Sequence, residues 1–224
     1  MNRDYRYEIK FVLNEINLTA ALNWIYTSTN LRKKFKGRYV NSLYFDDLEY
    51  RAVRDNLAGI SQRQKIRLRW YRHADRVNGL VLEQKNREDR YGSKNRFPVG
   101  DSRLTERPIA DINRYIGQLL LENIVSADTY HTASLHIEYY RQYFEDNNGL
   151  RLTFDREISF KNIISYCSIN MLPAASYPAV VMELKFTPEL KIYVAELLRS
   201  LPLTPKRHSK YLVGLATFGL AKYT

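Results

Sequence analysis

The sequence predicts an α+β fold in which mainly antiparallel strands close into a barrel, with helices packed outside and charged side chains inside. Three observations predict it. Several segments alternate strictly between apolar and charged residues, the period of a strand with two different faces. The chain carries 18 Tyr and 9 Phe, residues that suit half-buried strands better than helical bundles. The charged positions then form rows, strand after strand, on one side only.

The first element, Tyr5 to Leu13, sets Tyr5, Tyr7, Ile9 and Phe11 against Arg6, Glu8 and Lys10. Asn14 to Phe35 follows with apolar residues at Ile16, Ala20, Trp24 and Ile25, roughly helix-spaced. Its end carries the basic cluster of Arg32, Lys33, Lys34 and Lys36, read as a helix end or an external docking patch for a polyanion or membrane. Arg38 to Phe45 is rich in strand formers, and Asp46-Asp47 starts a helix over Leu48 to Leu57. Gln62 to Tyr71 and Leu80 to Tyr91 alternate again. Pro108 to Ile124 opens with a proline acceptable in a first turn and carries a stripe at Ile109, Ile112, Ile116, Leu119 and Leu120. Leu135 to Phe144 and Leu150 to Phe154 are joined by a hairpin turn ending at Gly149. Ala179 to Thr187 is a late strand, and Pro188 to Leu201 and Ser209 to Leu220 are closing helices.

At 224 residues, with 9 Gly and 7 Pro, the chain reads as one domain over 1–224. A hydrophobic fraction of 45% excludes a disordered chain. The single Cys167 excludes an internal disulfide, and the histidines fit no metal-site spacing. No apolar segment approaches a membrane span, so a cytoplasmic location is expected. The net charge of +11 favours anionic partners.

Side chains two apart on a strand share a face. Arg63, Lys65, Arg67 and Arg69 therefore form one row, backed by Ile66, Leu68 and Trp70. Glu83, Lys85 and Arg87 form another, as do Arg151, Thr153 and Asp155, and again Glu183 with Lys185. One such row alone would read as a solvated outer face. Together, rows of like charge on neighbouring strands repel unless an anion or interleaved carboxylates compensate. Helices also need apolar surface, so if they cover the outer faces the charged faces turn inward. A lumen of that kind suits phosphoryl chemistry: Arg forks grip phosphate oxygens, Lys acts as a point charge, and carboxylates hold a hard cation.

Eight short motifs then resemble, in order, the VTC domain of polyphosphate polymerases, a branch of the triphosphate tunnel metalloenzymes. They are Tyr7-Glu8-Ile9-Lys10-Phe11, Ser42-Leu43-Tyr44-Phe45-Asp46, Lys65 to Tyr71, Leu82 to Lys85, Tyr139-Tyr140-Arg141, Arg151 to Asp155, Met182 to Lys185, and Ser209-Lys210-Tyr211. The resemblance implies an eight-stranded antiparallel tunnel that moves the γ-phosphate of ATP onto a growing polyphosphate chain with Mn²⁺ or Mg²⁺. It implies phosphate-ligand roles for Lys10, Arg67, Arg69, Lys85, Arg141 and Arg151, a metal-ligand role for Glu183, and a basic pair of Arg207 and Lys210 flanking His208-Ser209. Lys65 and Lys185 join the substrate-binding set with Arg207 and Ser209, and Glu8 and Glu83 are added as further metal or orienting groups. The implied type is a stand-alone prokaryotic catalytic domain without a sensing domain or membrane helices, with a separate membrane protein as a candidate partner at the inner membrane face. Expected partners are ATP and polyphosphate, not nucleic acid.

Two other functions fit the same residues. One is hydrolysis of triphosphate or nucleoside triphosphate in the same lumen. The other is a non-catalytic module for polyphosphate or nucleic acid, with tyrosines on an open stacking surface; it predicts an outer basic face and no ordered metal site. The strand at Tyr139 to Phe144 leaves a choice open, because placing Arg141 inside sends Glu138 outside.

Overall fold

The computed structural model describes residues 6–73, 76–88, 91–101, 103–123 and 130–222. Tyr5, Asp89, Arg90 and Ile124, which fall in predicted elements, lie outside them. The described chain runs β1 (Tyr7–Leu13), α1 (Glu15–Ser28), β2 (Arg32–Asp46), α2 (Arg51–Leu57), β3 (Arg63–His73), β4 (Arg76–Glu88) and β5 (Tyr91–Pro98). It continues through α3 (Ile109–Asn123), β6 (Thr132–Glu145), β7 (Arg151–Asn162), β8 (Ala174–Tyr177), β9 (Val180–Phe186), α4 (Lys191–Arg199) and α5 (Lys210–Thr217). All ladders are antiparallel, in the order β1-β9-β7-β6-β2-β3-β4-β5, with β8 added beside β7.

The expected closed eight-stranded barrel is corrected here. The described sheet has nine strands, and no ladder joins β1 to β5. The sheet nevertheless curls. Glu8 on β1 lies within electrostatic reach of Lys85 on β4, and Lys65 on β3 within reach of Lys10. The two ends of the strand order thus face each other across one concave surface.

Outside that surface, the alternation does what it predicts. Ile66, Leu68, Trp70 and Leu82 pack beneath Ile109, Ile112, Ile116 and Leu120 of α3. Phe11, Leu152, Phe154, Met182 and Leu184 pack beneath Trp24 and Ile25 of α1 and Val194 of α4. Asn14 caps α1 by accepting from the Asn17 amide at 2.8 Å. The Trp24 indole donates to the Leu197 carbonyl at 3.1 Å and ties the two outer helices together.

Two helices depart from the expected outside position. Tyr211, Leu212 and Leu215 of α5, with Ala52 and Val53 of α2, bury themselves against Val40, Leu135, Ile137, Ile158, Phe160 and Val181. On β2, β6 and β9 these strand residues share the parity of the charged rows: Val40 follows Arg38, Ile137 precedes Tyr139 and Arg141, and Val181 precedes Glu183. The concave face is therefore apolar at one end, where α5 fills it, and charged along the rest.

Four boundaries also move. The segment 14–35 is helical only to Ser28, and the basic run from Arg32 to Lys36 opens β2 rather than ending a helix. The segment 80–91 spans the end of β4 and the first residue of β5, a strand of its own, and β8 is a further short strand. The helix predicted over Leu48 to Leu57 begins at Arg51. No helix among the described residues is long and apolar enough to cross a membrane.

Candidate functional site

The concave face gathers the predicted rows. Arg141 points inward, bound by Asp155, while Glu138 faces outward and pairs with Arg72 at 3.2 Å. Register alone dictates the rest: Lys10 lies opposite Glu183, Glu8 opposite Lys185, Arg67 opposite Glu83, and Lys65 opposite Lys85.

On the side built from β1, β9, β7 and β6, three carboxylates are interleaved with lysines and an arginine. Lys10 lies 3.6 Å from Glu8 and 3.7 Å from Glu183. Lys185 lies 3.5 Å from Glu8 and 3.4 Å from Glu183, so each lysine bridges both acids. Burial works against the Glu8 charge, but Lys10, Lys185 and Lys85 outweigh it and hold the carboxyl down at about 2. Asp155 is wholly buried and accepts both arms of Arg141, at 2.6 and 2.7 Å, and the Lys210 ammonium at 2.5 Å. Burial raises its pKa and these two cations reverse the shift, holding it well below the ordinary carboxylate range. Lys210 arrives from the first turn of α5 and sits 4.8 Å from the Tyr139 ring, with Arg141 5.1 Å from the same ring.

On the opposite side, built from β3, β4 and β5, a single carboxylate stands among four cations. Glu83 receives Arg67 at 2.8 Å, Arg69 at 2.6 Å, Lys94 at 2.5 Å and Arg96 at 3.5 Å. Burial opposes its charge, and the surrounding cations bring it down to about 2. Arg67 also donates to the Tyr44 hydroxyl at 3.2 Å. Between the two sides lie Lys65 and Lys85, which reach no carboxylate within ion-pair distance among the described residues. Burial lowers both, Lys65 to about 8. Lys65 is half-buried and Lys85 still exposed to solvent, and like charges crowded on one face are relieved when an anion arrives.

The structure thus brings together Lys10, Lys65, Arg67, Arg69, Lys85, Arg141, Lys185, Lys210, Glu8, Glu83 and Glu183. Arg151 lies beside Lys185 at the exposed rim and pairs with Glu145 at 3.3 Å. Ser209 is the N-cap of α5 but its side chain makes no capping bond. Arg207 is exposed on the preceding loop, within electrostatic reach of Arg63 at the start of the β3 row. Sequence reasoning missed Lys94 and Arg96, and it missed Arg38, whose guanidinium stacks 3.9 Å over the Tyr71 ring. The signal for the first two was present, since Lys94 and Arg96 are two apart, as strand neighbours on one face must be. It also left out Asp46, buried and accepting from Tyr211 at 2.8 Å, which anchors α5.

No group of three His, Cys, Asp or Glu side chains among the described residues forms a metal cage. What the face offers is Glu8 and Glu183, two acids sharing the same two lysines, with the Thr153 hydroxyl beside Glu183 buried and without a partner. That donor set fits Mg²⁺ or Mn²⁺ held by one or two carboxylates together with phosphate oxygens. It does not fit a metal held by protein alone.

The curled antiparallel sheet, with arginines, lysines and carboxylates interleaved on its concave face, has the fold of known structures. PH1819 from Pyrococcus horikoshii OT3 aligns over 96% of this chain and 99% of its own, with a TM-score of 0.54 at 13% identity. HpAC1 from Hippeastrum aligns over 94% of this chain and 95% of its own, with a TM-score of 0.55 at 15% identity. Within that fold the chain belongs to the VTC domain family, whose model matches residues 5–219. No curated protein sequence matches it.

Proposed function

We propose that this VTC domain is a metal-dependent phosphotransferase that moves the γ-phosphate of ATP onto a growing polyphosphate chain along its concave face. The observation that carries the reading is the charge balance of that face. Among the described residues, Lys10, Arg38, Lys65, Arg67, Arg69, Lys85, Lys94, Arg96, Arg141, Lys185 and Lys210 line it against Glu8, Glu83, Asp155 and Glu183, while Arg151 pairs with Glu145 at the rim and Asp46 is taken up by α5. That surplus exceeds what one triphosphate, at roughly four negative charges at neutral pH, would neutralise. A longer phosphate chain matches it.

In the transfer, a terminal phosphate oxygen of the acceptor forms a bond to the γ-phosphorus. The bond from that phosphorus to the β–γ bridging oxygen breaks, and ADP leaves with the electron pair. Both partners are anions, so the protein's task is to neutralise and align them. Arg67, Arg69, Lys65 and Lys85 hold equatorial phosphate oxygens, and Arg141 and Lys210, fixed by Asp155, present rigid donors from the other side. Glu8 and Glu183 would hold the divalent cation, which supplies charge neutralisation on the nucleotide phosphates when bound.

A second reading, hydrolysis of the triphosphate, uses the same face with water in place of the acceptor phosphate. HpAC1, of the same fold, is described as having a dominant triphosphatase activity. The deciding experiment is incubation of the protein with ATP and Mn²⁺, followed by gel analysis of the phosphate products. Long chains with stoichiometric ADP are expected. Free phosphate without chains would overturn the polymerase reading in favour of hydrolysis. Nucleic-acid affinity without ATP turnover would overturn both.

A further inference from the structure

Glu83 differs from Glu8 and Glu183, the two acids placed to hold a cation, in what it touches. Glu8 and Glu183 meet only lysines and, in the case of Glu183, Arg141 at 4.0 Å; the lysine contacts run from 3.4 to 3.7 Å. The Glu83 side chain is 1% exposed and engages four cations, three of them within 2.9 Å. Its Oε2 takes the Nε and a terminal nitrogen of Arg67, at 2.9 and 2.8 Å. Its Oε1 takes Arg69 and Lys94, with Arg96 farther off. Both oxygens are thus enclosed by cations, Oε2 through hydrogen bonding to Arg67 and Oε1 through charge contact with Arg69 and Lys94, without a hydrogen bond of its own. A metal ion would have to expel two guanidinium groups and an ammonium to reach it.

The strand order explains the arrangement. Glu83 sits on β4 between β3 and β5, directly opposite Arg67 on one side and Arg96 on the other, with Arg69 and Lys94 diagonal to it. Without a carboxylate there, side chains of like charge from neighbouring strands would repel and turn toward solvent. Each guanidinium has five N–H donors in a fixed fork, so a bond or two to Glu83 leaves the remainder for a ligand.

We infer that Glu83 is a positioning residue, not a metal ligand: it clamps Arg67, Arg69 and Lys94 into one array whose free donors meet a metal-free stretch of the phosphate chain. This rests on the reading that the concave face binds phosphate chains. The alternative physics predicts the opposite sign. If Glu83 only offset charge, its removal would make the face more positive and tighten anion binding. If it clamps the array, its removal loosens binding despite the added positive charge.

The test is calorimetric titration of the full chain with inorganic tripolyphosphate, without metal and then with Mn²⁺, for wild type, Glu83→Gln and Glu83→Asp. Glu83→Asp keeps the charge, and hence the fold, while shortening the reach by one methylene. It decides the matter even where Glu83→Gln unfolds. Positioning predicts that both variants bind tripolyphosphate at least about tenfold more weakly without metal, while Mn²⁺ alone binds as in wild type. The pH profile gives a readout that simple loosening of the fold would not move. Burial lowers Lys94 to about 8 and its contact with Glu83 opposes that fall. In Glu83→Gln the alkaline limb of binding therefore moves to lower pH. Wild-type or tighter tripolyphosphate affinity in both variants overturns the inference, as does a loss of Mn²⁺ affinity confined to them. A wild-type protein that fails to bind tripolyphosphate overturns the phosphate-chain reading itself.

Discussion

Replacing Asp155 with Asn removes the one carboxylate that Arg141 and Lys210 share. The site is wholly buried, and the three bonds it loses run from 2.5 to 2.7 Å. Arg141 keeps only Glu183, at 4.0 Å. Breaking a buried pair by removing one partner costs about 3–5 kcal/mol, because the remaining charge is left uncompensated. In a domain of this size each kcal/mol moves Tm by roughly 2–4 °C, so a fall of about 6–20 °C is expected in thermal melts at neutral pH. The pairing of Arg151 with Glu145, half-exposed at the rim, provides the contrast. Arg151→Ala should cost no more than about 1 kcal/mol. Because Asp155 is held below its unfolded pKa, the pair's contribution is complete above about pH 4, falls progressively as the pH drops below that, and is gone once the folded carboxyl is protonated. Tripolyphosphate should restore more stability to Asp155→Asn than to wild type, since its oxygens meet the two stranded cations. A loss below about 1 kcal/mol, or equal stabilisation of both proteins by tripolyphosphate, would refute the claim that this charge triad is dry and poised toward an anion.

Lys85→Ala should abolish ATP turnover while melting within a few degrees of wild type, because Lys85 makes no ion pair among the described residues; full turnover would remove it from the site. The lysines give opposite pH trends for stability and binding. Lys65 and Lys94 are both lowered to about 8 by burial, so between pH 8 and 10 the unfolded chain holds the extra protons. Stability of the free protein should then rise with pH in denaturant titrations while tripolyphosphate affinity falls; parallel trends would contradict the burial of these lysines. Gly214→Ala on α5 would set its Cβ 2.5 Å from a Leu135 methyl and 2.7 Å from the Phe160 ring. Overpacking of that kind costs about 1–3 kcal/mol, measurable by urea unfolding, whereas a neutral result would mean that α5 does not fill the concave face.

How far the sequence alone reached is clearest on β6 and β7. Arg141 and Tyr139 share a parity with Ile137 and Leu135, so one face of a single strand turns from charged to apolar along its length. A period-two reading can follow that face but cannot say that a helix covers its apolar end. On β7 even the parity breaks. Glu157 sits at φ 51 in a bulge opposite Tyr139, and beyond it Ile158 and Phe160 return to the concave side held earlier by Arg151, Thr153 and Asp155. The rule that helices seek apolar strand faces correctly placed α1, α3 and α4 outside. Applied to α5 it gave the wrong side, because the apolar patch that α5 seeks lies within the concavity. The missed strand β5 has a different cause. As the last strand in the ladder order it presents Ser93 and Asn95 opposite Asn86 and Gln84 of β4, and Asn95 bonds to Gln84 at 2.9 Å instead of packing beneath a helix. Without the apolar half of the alternation, Lys94 and Arg96 looked like surface charge. Their value to the site comes from Glu83 on the neighbouring strand, a relation between strands that only the register of the folded sheet creates.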